Sequence, residues 1–349
     1  MGPAVGKEEA LPIMQDSLGQ EFVCEVYRRV LGRDPSADEV AEADRLIHLR
    51  GVRAFVLLVC AKPADTVRRP EEFGPLFVPP GHYYSPIVDP DELVRSGFAE
   101  PQAGASMPGI SLGPDRMLAT FNTLARHFPA IDFPETLQAS HRYYYQNEFY
   151  GYGDAIILSA ILREFRPRRI IEVGSGFSSA AMLDTLDSAG LDATTCTFIE
   201  PYPDRLRGLL RPADHRLVEI LERPVQHVLL EAFSRLGSGD LLFMDTTHIS
   251  KTGSDVNHEL FEVLPALQPG VLLHFHDVFW PFEYPHAWVI DQNRSWNELY
   301  LLRAFLMHNQ QYEIVYFNHF FDFAYHEHVQ RINPLISRNC GGGLWLRKL

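Results

Sequence analysis

Residues 169–183, RIIEVGSGFSSAAML, run from an apolar stretch through a glycine turn into an amphipathic segment. The reading is a strand ending at Glu172-Val173, a tight turn at Gly174 and Gly176, and a helix from about Ser178. Glycine is required in such a turn because a side chain would keep a ligand away from the backbone. The helix start adds N–H groups with no partner inside the helix. The third glycine of a dinucleotide-binding turn is missing, with Ser179 in its place. Glu172 stands two residues before the first glycine. A carboxylate there would repel a pyrophosphate and suits a ligand with a cationic end.

Outward from this turn, short apolar runs alternate with amphipathic stretches. Strands are expected at 169–173, 195–200, 217–221, 241–245, 271–276, 312–317 and 343–347. Helices are expected near 178–189, 203–210, 225–235 and 255–267, with another opening at Asp154 as its cap. LLFMD and VLLHF are apolar on both faces, as in a parallel sheet covered on both sides. This alternation predicts an α/β, Rossmann-like doubly wound domain.

The strand ends carry the chemistry. Open α/β sheets bind ligands beyond the carboxyl ends of their strands. The second strand ends in FIEPYP, where Glu200 can accept hydrogen bonds from ribose hydroxyls. The fourth ends in Asp245-Thr246-Thr247-His248 and the fifth in His274-Phe275-His276-Asp277. His274 reads as a core histidine. His248 or His276 can act as a base, since histidine titrates near neutrality. Alternatively, Asp245 and Asp277 offer the hard oxygens that magnesium or calcium takes. The base reading is preferred. Of the aromatic residues near the expected mouth, Phe279 and Trp280 are the candidates for contact with an acceptor.

The 349 residues allow about two domains, and 46% hydrophobic content suits a globular protein. A net charge of −14 argues against a nucleic-acid coat or adsorption to an anionic membrane. No apolar run approaches the ~20 residues of a membrane span, and residues 1–10 lack a signal-peptide core. Cys24, Cys60, Cys196 and Cys340 form no paired motif. They suit a reducing compartment, so a cytoplasmic location is expected. Before the α/β domain, 18–66 reads as a helical module, with a capping box at Ser36–Glu39. Residues 67–140 read as linker and cap, and 141–349 as the main domain.

FVCEVYRRVLGRDPSADEV (22–40) resembles the helical module known as domain of unknown function 4214, which implies no chemistry. Residues 150–179, 239–285 and 295–306 together resemble class I S-adenosylmethionine-dependent methyltransferases, specifically the bacterial methyltransferase type 24 family. The resemblance implies a seven-stranded sheet with an antiparallel last strand, and methyl transfer to a small acceptor. Under it, Glu172, Gly174, Ser175, Gly176, Phe177, Ser178, Glu200, Asp245 and Thr246 would bind S-adenosylmethionine. His248, His276 and Asp277 would serve catalysis. O-methylation of a small-molecule or glycan hydroxyl is the expected reaction, without a divalent cation. The alternatives are a non-catalytic S-adenosylmethionine-binding protein and, less favoured, a nicotinamide-dependent oxidoreductase. The front helices would meet a protein partner.

Overall fold

The computed structural model describes residues 76–99 and 107–349, with scattered positions between 23 and 43. The chain divides into two compact units, 1–79 and 80–349. In the first, Val23 and Tyr27 are buried on a helix. The Ser36 N–H donates to Glu39 at 2.8 Å and the Glu39 N–H to Ser36 Oγ at 3.3 Å, the reciprocal pair expected of the capping box. The expected helical residues Leu46, Ile47, Phe55, Leu57 and Leu58 lie outside the described residues.

The second unit is built on a seven-stranded sheet in the order β3-β2-β1-β4-β5-β7-β6. Its strands are β1 (Arg169–Val173), β2 (Thr195–Ile199), β3 (Val218–Leu221), β4 (Leu241–Met244), β5 (Leu272–Phe275), β6 (Tyr312–Phe317) and β7 (Leu344–Lys348). β1 to β5 are mutually parallel, while β7 runs antiparallel between β5 and β6. Each expected strand is present to within a residue or so at its ends. β4 and β5 are buried along their whole length, which explains their unbroken apolar character. Strand order reverses between β1 and β4, so their carboxyl ends flank the crevice where such sheets bind ligands.

Helix α1 (Pro114–Leu124) lies within the stretch read as linker and cap. It buries Met117, Phe121 and Leu124 completely, and Phe121 packs 4.7 Å from Phe321 and 6.3 Å from Tyr316. This stretch is therefore part of the sheet's own core. Helix α2 (Tyr152–Phe165) is buried from Gly153 to Leu162, on every face. Asp154 does not cap it, because the helix begins two residues earlier and Gly151 is the N-cap. The Asp154 carboxylate instead accepts from Asn318 Nδ2 at 3.1 Å deep in the core. Helix α3 (Phe177–Ala189) leaves the glycine turn, and α4 (Glu298–Leu306) and α5 (Asn318–Ile332) follow β5 and β6.

Candidate active site

Gly174 has φ +77, in the left-handed region that favours glycine. A Cβ added there would sit 1.7 Å from the carbonyl oxygen of Asp245, at the end of β4. The turn after β1 thus packs directly on the backbone after β4. The Gly176 N–H donates to Ser179 Oγ at 3.0 Å, closing the start of α3. Glu200 ties the turn to β2, accepting from the Ser175 N–H at 3.1 Å and from the Tyr202 N–H at 2.8 Å. A carboxylate has about four acceptor positions, so two backbone bonds leave room for further donors.

Glu172 takes a different place from the one its sequence position suggests. It is wholly buried and accepts from Ser178 Oγ at 2.6 Å and from Ser179 Oγ. Burial pushes its carboxyl up to about 8, against the pull of those two hydroxyls. Glu172 and Ser178 brace the turn from beneath. Ser175 Oγ and Thr246 Oγ1, in contrast, are buried without a hydrogen-bond partner. Such groups are costly to leave unmet, and both belong to the strand-end loops that flank the crevice. Phe177 stacks on Phe149 with ring centres 5.9 Å apart, and Arg205 lies 3.9 Å over the other partner, Phe149.

At the ends of β4 and β5, His248 is the centre of an ionic cluster. Its Nε2 lies 3.4 Å from Asp245 Oδ1 and 3.6 Å from Asp277 Oδ2. Its Nδ1 lies 2.8 Å from Glu298 Oε2, at the start of α4. His276 Nε2 is 3.6 Å from Asp277 Oδ1. His248 (φ 58) and Asp277 (φ 55) both hold left-handed backbone, costly for residues with side chains. The Asn297 and Glu298 N–H groups both donate to the His248 carbonyl, fixing its strained loop.

Burial alone would lower the pKa of His248. Its bonds to Asp245 and Glu298 and the charge of Asp277 outweigh that and hold it well above the usual range. Burial likewise opposes the charged form of His276, but Asp245, Asp277 and Asp154 raise it overall. For Asp245, burial is outweighed by His276, His248 and Arg205, so its carboxyl titrates low. Burial pushes the Asp154 carboxyl up to about 7 even though His276 is close. The carboxylates around them thus favour the charged form of both histidines expected to be bases. His274 is a core residue, wholly buried and stacked 4.0 Å from Phe243.

Of the two acceptor-contact candidates, Trp280 is misplaced. It is 7% exposed and packs edge-on against Phe320 at 4.8 Å, because the chain turns back into the core after Phe279. Phe279 is half-buried against Trp288, 5.1 Å away. Glu298 and Trp296, whose ring lies 4.4 Å from that of His248, went unnoticed in the sequence. An acid in the first turn of a helix looks like any favourable helix start, so no local signal marks Glu298.

A methyltransferase-domain model matches residues 171–278, from β1 through the His276-Asp277 pair. An uncharacterized protein of Archaeoglobus fulgidus is 34% identical over 171 residues, spanning 47% of this chain and 76% of its own length. The chain belongs to the methyltransferase-domain family. Among solved structures of the same architecture, Podospora anserina methyltransferase PaMTH1, bound to S-adenosylhomocysteine, is 16% identical. That likeness covers 68% of this chain and 88% of that one, with TM-score 0.36. The O-methyltransferase TomG of Streptomyces achromogenes, solved with S-adenosylmethionine, is 14% identical over 74% of this chain and 95% of its own, with TM-score 0.35.

Proposed function

We propose that this family member is an S-adenosylmethionine-dependent O-methyltransferase acting on a small-molecule or glycan hydroxyl. One observation carries the reading. The Gly174 turn rests on the backbone of Asp245 while its next residue is tied to Glu200, so β1, β2 and β4 share one crevice. Beside it lie the charged groups of His248, His276 and Asp277. The unmet hydroxyls of Ser175 and Thr246 suit a polar, closely held cofactor. The Gly174–Phe177 turn and Thr246 would hold it, with Glu200 on its ribose. Bound there, S-adenosylmethionine supplies an electrophilic methyl group on sulfur.

The chain's own task is then to orient the acceptor oxygen and remove its proton. With the charged forms of His248 and His276 favoured by their carboxylate neighbours, Asp277 is the group assigned that proton, and its side chain is 18% exposed. The two imidazolium N–H groups steady the carboxylate and the developing oxygen charge. Orientation of oxygen and methyl carbon in line supplies much of the rate, with proton removal adding ~10²–10⁴-fold. Among the described residues no group of three or more His, Cys, Asp or Glu side chains is arranged to hold a metal ion. Asp245 Oδ1 and Asp277 Oδ2 each face His248 Nε2, at 3.4 Å and 3.6 Å, which favours an ion pair with the imidazole in this arrangement.

Incubation with S-adenosylmethionine and candidate hydroxyl acceptors, read by mass spectrometry, tests the assignment. The expected products are the methylated acceptor and S-adenosylhomocysteine, with turnover unaffected by EDTA. Activity abolished by EDTA and restored by magnesium would move Asp245 and Asp277 into a metal shell. Binding of the cofactor without methyl transfer to any acceptor would favour a binding protein. Residues 18–66 are assigned to contact with a protein partner.

A further inference from the structure

Arg294 lies in the loop between β5 and α4, half-buried, with its guanidinium carbon 4.2 Å over the Trp288 ring and 4.5 Å over Trp296. Trp288 packs on Phe279, and Trp296 packs 4.4 Å from the His248 ring. The clamped guanidinium therefore belongs to the wall of the His248–Asp277 cluster. Among the described residues it has no carboxylate within ion-pair distance; Asp277 acts on it only at longer range. The other core arginine behaves differently: Arg142 meets Asp184, Asp187 and Asp214 in one buried network. The two rings, set 80° apart, hold the Arg294 guanidinium by cation–π contact, which uses none of its N–H groups as hydrogen-bond donors.

We infer that Arg294 is a specificity-determining residue that receives a carboxylate carried by the methyl acceptor, so that the acceptor class is a hydroxy acid such as a uronic acid. This rests on the methyltransferase reading above. A planar carboxylate matches the guanidinium fork with two parallel bonds. A phosphate monoester would bring about two negative charges close to Asp245, Asp277 and Glu298, which disfavours it. The indole rings supply an apolar frame for the rest of the acceptor, and they keep water from weakening the ion pair. Val88, whose N–H donates to Ser295 Oγ at 3.1 Å, and Phe98, stacked on His286 at 5.9 Å, cover the same loop from the front segment.

The test uses the full chain and benzoate as the probe, with benzyl alcohol as its neutral counterpart and inorganic phosphate as the competing anion. The readout is the Arg294 Nε–H resonance, assigned by its loss in Arg294→Gln. Benzoate should shift it saturably, and benzyl alcohol should not. Calorimetry should give benzoate binding at least about tenfold weaker in Arg294→Gln, with Arg294→Lys intermediate because an ammonium lacks the fork. Saturation by phosphate but not by benzoate would overturn the carboxylate assignment. A response equal for benzyl alcohol, no saturable response to either anion, or unchanged affinity in Arg294→Gln would overturn the site. S-adenosylhomocysteine titrated into the same samples reads the methyltransferase assignment separately, and should bind the variants as it binds the parent.

Discussion

The two sides of the crevice are built on different principles. The side formed by β1 and β2 is mostly backbone: a glycine turn with no space for a Cβ, tied by N–H groups to the strand-end acid Glu200. The side formed by β4 and β5 is mostly side chains drawn from far along the sequence. His248 meets Glu298 fifty positions away, and Arg294 lies against two tryptophans. On the proposed reading, the first arrangement would hold the cofactor. The second can be rebuilt around different acceptors without disturbing the sheet.

Both sides depend on the front segment that backs the sheet, and removing it has the largest expected effect. A chain beginning at Pro134 loses Met117, Phe121, Leu124 and Phe128, all buried. Each such loss costs ~2–5 kcal/mol, in sum as large as the ~5–15 kcal/mol that holds a domain together. It should not fold by circular dichroism and thermal melting, whereas a chain beginning at Pro80 should melt cooperatively. A cooperative melt from the shorter chain would mean that α1 only decorates the sheet.

Gly174→Ala strikes the backbone side. Its Cβ has no space beside Asp245, so the turn must shift as a whole. A stability loss of about 4 kcal/mol is expected, in the range that marks a severe steric defect, together with loss of S-adenosylhomocysteine binding. Retained binding would show that the turn is looser than its packing implies.

His248→Asn strikes the side-chain side. It leaves Asp245, Asp277 and Glu298 without their shared cation, and breaking such a buried pair costs about 3–5 kcal/mol. The difference from the parent should depend on pH. His248 titrates above its unfolded value, so its contribution is complete in weak acid and is lost as pH rises through the raised pKa. Asp245 titrates below its unfolded value, so its contribution is lost as pH falls through that lowered pKa. Denaturant melts should therefore give the largest gap in weak acid, between the unfolded values of Asp245 and His248, narrowing as pH rises or falls from there. A gap independent of pH would mean that His248 acts by packing alone.

The same division explains what was legible beforehand. The strands announced themselves through apolar runs, and the glycine turn through a rule that only backbone sterics imposes. Glu200 followed from its register beside that turn, since Val173 pairs with Ile199. Asp154 gave a misleading signal, because an acid before a helical run resembles a cap even when the helix has already begun. Glu172 was visible, but its two serine partners lie on the next turn of chain, and only the fold brings them beneath it. The bounds of α1 were not legible, because glycines and prolines around it mask where a short helix begins and ends. Glu298, Trp296 and Arg294 have no local pattern, since their meaning comes from where the loop after β5 lands.

The central claim is that the crevice holds S-adenosylmethionine, with Glu200 on its ribose. Isothermal calorimetry of the full chain with S-adenosylhomocysteine, and in parallel with NAD, tests it most directly. Saturable binding of S-adenosylhomocysteine and none of NAD is predicted, with Glu200→Ala weakening the former by about 1.5–3 kcal/mol, the scale of a lost charged hydrogen bond. No heat from S-adenosylhomocysteine, or tighter binding of NAD, would contradict the account.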